Sequence, residues 1–158
     1  MSSFADLIEV IRTHCETVAA AVTPAITVVR MADRQSDVAQ LTVQYEGDED
    51  SPFGGNTFGK TQVGEKLTIA LDVPISSFDK GAAEAVEIYV QDVKARIKAR
   101  LWGDLTLTDP TSCIGMVIGN ATTGYVQQTF RDAPAGPIFR TMSFPIVLAL
   151  PDVDTIAI

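Results

Sequence analysis

Residues 54–61 have the spacing of a phosphate-binding loop. They read GGNTFGKT and satisfy G-x-x-x-x-G-K-[ST], in which backbone amides cradle phosphate oxygens and the lysine neutralises them. That chemistry requires a buried strand before the loop and a helix after it. Here the preceding residues are acidic (EGDEDSPF), and residues 62–65 lead into an alternating strand. Because both flanks lack the required context, we interpret the segment as a glycine-rich loop and keep a nucleotide-binding enzyme as the minor alternative.

An acidic cluster precedes this segment, with Glu46, Asp48, Glu49 and Asp50 close together. The D-x-[DN]-x-[DN]-G pattern of an EF-hand and its closing glutamate are both missing. We therefore expect a solvated loop over residues 46–64. A weak cation site that forms only on assembly is the alternative.

The single histidine, His14, lies beside Cys15. Adjacent residues on a helix point about 100° apart, so the two side chains do not form a catalytic couple. One histidine is also too few for a histidine-based metal site. The sequence predicts no catalytic residue, no metal site and no cofactor.

Four basic residues, Lys94, Arg96, Lys98 and Arg100, occupy the last two turns of a predicted helix whose first half is acidic. That polarity suits the helix dipole and a solvated face. A nucleic-acid patch is disfavoured, because no aromatic residues lie between these lysines and arginines and the protein is acidic. Pairing with the acidic loop of a neighbouring subunit is the remaining alternative.

Two helices must hold these groups in place. Apolar residues at helical spacing predict the first, which begins at a Ser3–Asp6 capping box and ends before Pro24. The second follows Pro74, with Asp79 as N-cap and Gly103 as its stop. Its predicted buried stripe comprises Ala82, Ala85, Val86, Tyr89, Val93, Ile97 and Leu101, and Asp92 pairs with Arg96.

Alternating or β-rich runs predict six strands, at 26–31, 40–45, 66–73, 113–118, 125–130 and 139–150. We expect the 40–45 and 66–73 strands to have one solvated face, residues 119–124 to form a tight turn, and Pro145 to mark a bulge or an edge strand. The order α-β-β-β-α-β-β-β predicts an α+β fold: a mostly antiparallel or mixed sheet of about five to six strands flanked by two helices. We expect a single domain over residues 1–158, with the flexible acidic and glycine-rich loop at 46–64.

Composition narrows the function classes. The chain has 158 residues, is 46% hydrophobic and carries a net charge of −8. That acidity argues against an electrostatically driven DNA-binding protein. No apolar run reaches the length of a membrane span, and the N-terminus does not resemble a signal peptide. We expect a protein made in the cytoplasm with no membrane partner.

The whole-chain pattern resembles the tail terminator proteins of long-tailed bacteriophages. The resemblance rests on the helix at 82–102 ending in IKARLWGDLTL, the stretch TLTDPTSCIGMVIG and the late strand SFPIVLAL. It implies a sheet flanked by helices and a hexameric ring that caps the tail tube and joins the head connector. The implied partners are copies of itself, the tail tube protein and the connector protein, and DNA passes through without specific binding.

The same resemblance gives the charged residues expected places. Asp48, Glu49 and Asp50 would lie near the lumen or an axial face, and Lys94, Arg96, Lys98 and Arg100 would pair with acids of the next subunit. The protein would be made in the bacterial host cytoplasm and end in the virion, at the tail or neck. Another head-to-tail connector or head-completion protein is the nearest alternative, and a generic adaptor is a further one.

Overall fold

The computed structural model describes residues 3–31, 38–49, 51–52, 62–75, 80–127 and 138–151. The helices are α1 (Phe4–Ala21) and α2 (Lys80–Trp102). The strands are β1 (Thr27–Val29), β2 (Gln40–Glu49), β3 (Gln62–Ile75), β4 (Gly115–Ile118), β5 (Thr122–Gln127) and β6 (Ile138–Pro151). The predicted α+β class and order of elements are confirmed.

The strands form one mixed sheet in the order β1-β2-β3-β6-β4, and β5 also pairs with β6. Only β1 and β2 are parallel, and every other described pairing is antiparallel. The long pair β3–β6 forms the centre, with Gln62 opposite Pro151 at one end and Ile75 opposite Ile138 at the other.

Both helices pack on the same face of the sheet. The rings of Phe4 (α1) and Tyr45 lie 5.2 Å apart, and the Lys98 ammonium (α2) lies 5.2 Å from the centre of the Phe144 ring. The strand register through Leu67 places Tyr45 and Phe144 on one face. The buried sheet residues on this face are Leu41, Val43, Leu67, Ile69, Leu71, Met142, Phe144, Ile146 and Leu148.

The helix α1 begins and packs as predicted. The Asp6 amide donates to Ser3 Oγ at 3.2 Å, and the Ser3 amide donates to Asp6 Oδ2 at 3.0 Å, which completes the capping box. Leu7, Ile11 and Cys15 are buried on the predicted stripe.

The helix α2 ends at Trp102, directly before Gly103 as predicted, and Arg96 pairs with Asp92 at 2.9 Å. Its predicted stripe is wrong at one residue, because Ala85 is exposed and Val90 is buried instead. The buried line through Val90, Val93 and Ile97 follows helical spacing, and Ala85 lies off that line. The predicted N-cap Asp79 lies outside the described residues.

The predicted loop at 46–64 is wrong at both ends. Strand β2 continues to Glu49 and strand β3 begins at Gln62. Asp48 pairs with Glu65 and Glu49 with Gly64, so both acids lie in a strand. Asp50 and residues 53–61 lie outside the described residues.

The prediction that β2 has one solvated face is correct for only part of this strand. Thr42 and Gln40 lie on the face away from the helices and are nevertheless buried, as is Asp72 opposite Gln40. These residues lie where β2 is flanked by both β1 and β3. Beyond this stretch β1 ends, and Gln44 is exposed.

The predicted tight turn at 119–124 is wrong. Of the two predictions for Pro145, the edge strand is wrong and the bulge is confirmed. Strands β4 and β5 run in the same direction along one edge of β6, so the chain does not reverse between them. Three residues, 119–121, lie opposite two, 144–145, which makes the junction a bulge. Pro145 therefore lies in a central strand. Its backbone nitrogen, which carries no hydrogen, faces this bulge.

In the described part of the chain, neither helix combines the length and apolar character that a membrane span requires.

Candidate functional site

Acidic side chains gather where β2 and β3 extend together. The β2–β3 register shifts between Tyr45 and Gly47, so one extra residue is accommodated in β2. This bulge brings Asp48 onto the same face as Tyr45, although residues three apart on a regular strand point to opposite faces. Gly47 has φ 112°, a conformation that side chains disfavour. We call Tyr45, Asp48 and Glu65 the acidic cluster.

A tyrosine links two carboxylates within the acidic cluster. The Tyr45 hydroxyl donates to Glu65 Oε2 and also lies 3.3 Å from Asp48 Oδ1. Burial and the neighbouring Asp48 raise the pKa of Glu65, and the hydrogen bond from Tyr45 opposes that rise. The hydrogen bond to Glu65 raises the pKa of Tyr45, so its phenol stays protonated at neutral pH. The cluster therefore combines the carboxyl groups of Asp48 and Glu65 with the neutral hydroxyl of Tyr45, which donates a hydrogen bond to Glu65.

The structure also bears on residues 54–61, which themselves lie outside the described part of the chain. They connect β2 to the antiparallel strand β3. Strand β3 begins at Gln62, so no helix follows the segment directly. A phosphate-binding loop instead joins a buried strand to a helix N-terminus.

The four basic residues of α2 do not form one patch. Residues two apart on a helix point about 200° apart, so Lys94 and Lys98 lie on one side and Arg96 and Arg100 on the other. Lys98 Nζ donates to the carbonyl oxygen of Gly119 at 3.0 Å. Arg96 pairs with Asp92 of the same helix, and Arg100 donates a hydrogen bond to His14 of α1. Three of the four predicted residues therefore have contacts within the chain.

A three-residue network that the sequence analysis missed joins the helices. His14 Nε2 lies 2.8 Å from Asp104 Oδ2, and Arg100 Nε donates to His14 Nδ1 at 3.0 Å. Since Nδ1 accepts, Nε2 carries the proton and donates to the carboxylate. Asp104 Oδ1 also accepts from the Thr108 amide at 2.7 Å, beside Leu107, whose φ is 50°. His14 anchors a strained turn to α1.

An apolar groove lies at the end of the sheet where α2 begins. Its volume is about 740 Å³. The Tyr89 hydroxyl donates to the carbonyl oxygen of Pro24 at 2.7 Å and ties α2 to the chain after α1. The lining also includes Val38, Ala39, Val73, Pro74, Ala85, Val86, Ile88 and Asp92. Sequence reasoning missed this groove because its walls come from four separate segments.

Neither thiol is poised for nucleophilic chemistry. Burial raises the pKa of Cys15 to about 12 and that of Cys113 to about 11, so both stay protonated at neutral pH. Within the described ranges, no three His, Cys, Asp or Glu side chains come together as metal ligands.

No protein-family model matches the sequence, and a search of curated proteins gives no significant match.

Proposed function

We propose that this chain is a tail terminator of a long-tailed bacteriophage, a structural protein that forms a hexameric ring, caps the tail tube and joins it to the head connector. The observation that carries the proposal is the architecture. Two helices pack on one face of a mixed six-stranded sheet, in the order of elements that the sequence predicted. A sheet flanked by helices is also what the resemblance implies.

The charge distribution supports passage of DNA through such a ring. Each chain has a net charge of −8, so six copies carry about −48. Asp48 and Glu49 are exposed at the end of β2, together with the half-buried Glu65 of β3. A lumen or axial face that carries these carboxylates repels DNA phosphates, so the genome slides through without being bound.

The basic end of α2 supports a more limited role than its sequence suggested. Lys98 is engaged with Gly119 and Phe144, and Arg100 with His14. Reversing either charge would disturb the fold as well as any contact between subunits. Lys94, half-buried on the same side of α2 as Lys98, is the cleaner position for a test of pairing between subunits.

Tube assembly tests the proposed function. The chain is co-expressed with a tail tube protein, and tube lengths are measured by electron microscopy. A terminator is expected to give capped tubes that do not resume growth when tube protein is added. Tubes that elongate as they do without the chain would contradict the proposal. Binding to the head connector with no effect on tubes would instead identify another neck protein.

A further inference from the structure

His14 of α1 has a partner at each of its two ring nitrogens. Arg100 Nε of α2 donates to Nδ1 at 3.0 Å, and Nε2 donates to Asp104 Oδ2 at 2.8 Å. The side chains of His14 and Asp104 are only 14% and 15% exposed, whereas Arg100 is exposed. A neutral imidazole has one N–H and one free lone pair, so it satisfies both partners in a single tautomer.

A second proton on His14 is incompatible with one of these two contacts. Both ring nitrogens donate in the imidazolium, so an N–H on Nδ1 would point at the N–H of Arg100 Nε. Arginine keeps its charge in proteins, so two positive groups would also meet across the 3.0 Å that now suits a hydrogen bond. The contact with Asp104 becomes stronger instead, because imidazolium and carboxylate have opposite charges. Neutral and protonated His14 therefore favour different positions of Arg100.

We propose that protonation of His14 releases Arg100 from α1, so that this arginine joins the two helices only while the imidazole is neutral. Arg100 lies on the exposed surface of α2, and its side chain can turn toward solvent without leaving a buried charge. Asp104 keeps its hydrogen bond to His14 in both states and accepts from the Thr108 amide at 2.7 Å, so the turn after α2 stays in place. The change is confined to one side chain.

Arg100 and Asp104 are the charged side chains that contact His14 in the described part of the chain. The residues of α1 one turn away from His14 carry no charge, and Glu16 lies on the opposite side of this helix. The acidic cluster lies near Phe4, about 15 Å along α1 from His14. A change in the charge of His14 therefore acts first on Arg100 and Asp104. Other charged residues of these elements have partners elsewhere: Glu9 pairs with Arg12 and Arg30, Arg96 with Asp92, and Asp109 with Ser112.

This exchange decides whether Arg100 is available for contacts outside the chain. While His14 is neutral, its Nδ1 accepts the Arg100 Nε–H, and an acid of another molecule must compete with that contact. Protonation of His14 removes the competitor. Pairing of Arg100 with an acid of a neighbouring subunit is therefore favoured at acidic pH, because the two events are thermodynamically coupled. The exchange within the chain does not depend on the proposed function.

Nuclear magnetic resonance tests the exchange in the intact protein. His14 is the one histidine in the chain, so its imidazole signals are assigned directly. Histidine ordinarily changes charge between about pH 5 and 8, which sets the range of the titration. At the upper end we expect Nε2 to carry the proton and the Arg100 Nε–H signal to be protected from exchange with water. This protection is expected to be lost with the same midpoint as His14 protonation. The Nε–H of Arg96, which donates to Asp92, is the internal control and is expected to show no change at that midpoint.

Two variants give a second readout. Arg100→Ala removes the group that opposes a second proton, so His14 is expected to take it up at a higher pH than in the wild type. Arg96→Ala removes the same charge one turn earlier on α2 and is expected to leave the titration of His14 in place. An Arg100 Nε–H signal that stays protected after His14 is protonated would overturn the proposal, as would equal shifts in the two variants. A neutral His14 with its proton on Nδ1 would also overturn it, because Arg100 then has no acceptor there. Circular dichroism checks that each variant is folded.

Discussion

The Gly119 amide donates a hydrogen bond of 2.8 Å to the carbonyl oxygen of Pro145, where β4 passes into β5. A Cβ atom at Gly119 would lie 2.6 Å from Pro145 Cγ, which is closer than real contacts allow. The proline removes a backbone donor from the centre of the sheet, and the bulge opposite it requires none there. These two residues explain why β4 and β5 are separate strands along one edge.

Gly119→Ala is expected to destabilise the fold by about 1–3 kcal/mol, because the methyl group must displace the proline ring or the bulge. Urea unfolding followed by circular dichroism measures the change. Gly124→Ala is the matched control, since its nearest neighbour, the Thr141 hydroxyl, is 3.4 Å away. Equal losses in the two variants would contradict the close contact.

Gly47→Ala is expected to cost about 1–3 kcal/mol, because alanine is strained at the φ of 112° that the bulge requires. The Cβ itself would meet nothing within 4 Å, so the penalty comes from the backbone alone. Gly103→Ala, without a positive φ, is expected to stay within about 0.5 kcal/mol of the wild type. A Gly47→Ala variant of wild-type stability in the same unfolding assay would argue against this bulge.

The stability of the chain is expected to depend on pH through Glu65. Its pKa in the folded state lies above the ordinary value of 4.5, so the folded state holds this proton more tightly than the unfolded state. The carboxyl therefore favours folding most at low pH, and this contribution is lost as pH rises through the folded pKa. Glu65→Gln is expected to gain stability relative to wild type as the pH rises above the ordinary carboxyl value of 4.5.

Tyr45→Phe serves as the opposing control in that pH series. It removes the hydrogen bond that lowers the pKa of Glu65, so the slope of stability with pH is expected to steepen. The phenyl ring keeps the packing against Phe4. Parallel pH profiles for wild type and Glu65→Gln, measured by urea unfolding, would rule out this role of Glu65.

His14→Ala is expected to destabilise the chain by about 1–3 kcal/mol, because Asp104 loses the donor that joins it to α1. A double-mutant cycle with Asp104→Ala isolates the pair. We expect a coupling energy of about 0.5–3 kcal/mol, since the two side chains are largely buried and in direct contact. Additive losses would show that the two residues act separately.

Neutralising Asp48, Glu49 and Asp50 together is expected to leave the melting temperature nearly unchanged and to impair genome passage or docking. Asp48 and Glu49 are exposed, so their charges are not needed for packing. Glu16→Gln with Glu84→Gln removes exposed charges on the helices and is the control for a general charge effect. Normal genome delivery in the triple variant would contradict the placement of these residues at the lumen or an axial face.

The helices and the sheet were predictable because their apolar periods are strong. The helical spacing correctly predicted the buried residues Leu7, Ile11 and Cys15. The alternation in β3 correctly predicted Leu67, Ile69 and Leu71. The predictions from sequence were wrong where pairing with a neighbouring strand determines the local structure. Glycine and acidic residues suggested a loop at 46–49, yet pairing with β3 extends the strand. Pro145 suggested a bulge or an edge strand, and the position of Gly119 in the bulge shows why a central strand tolerates this proline.

The site was less predictable than the fold, because its contacts join distant segments. His14 and Asp104 are 90 residues apart, and no local pattern links them. The basic residues of α2 were found correctly as a charged run, yet their partners in α1 and the β4–β5 bulge depend on how the helix packs. The groove likewise exists only after four segments meet.

Electron microscopy of tube ends tests the central proposal most directly. Tubes assembled with the chain are purified and their ends are averaged. We expect a six-fold ring with an open centre at one end of each tube, absent from tubes assembled without the chain. Bare ends in the presence of a folded, excess chain would contradict it.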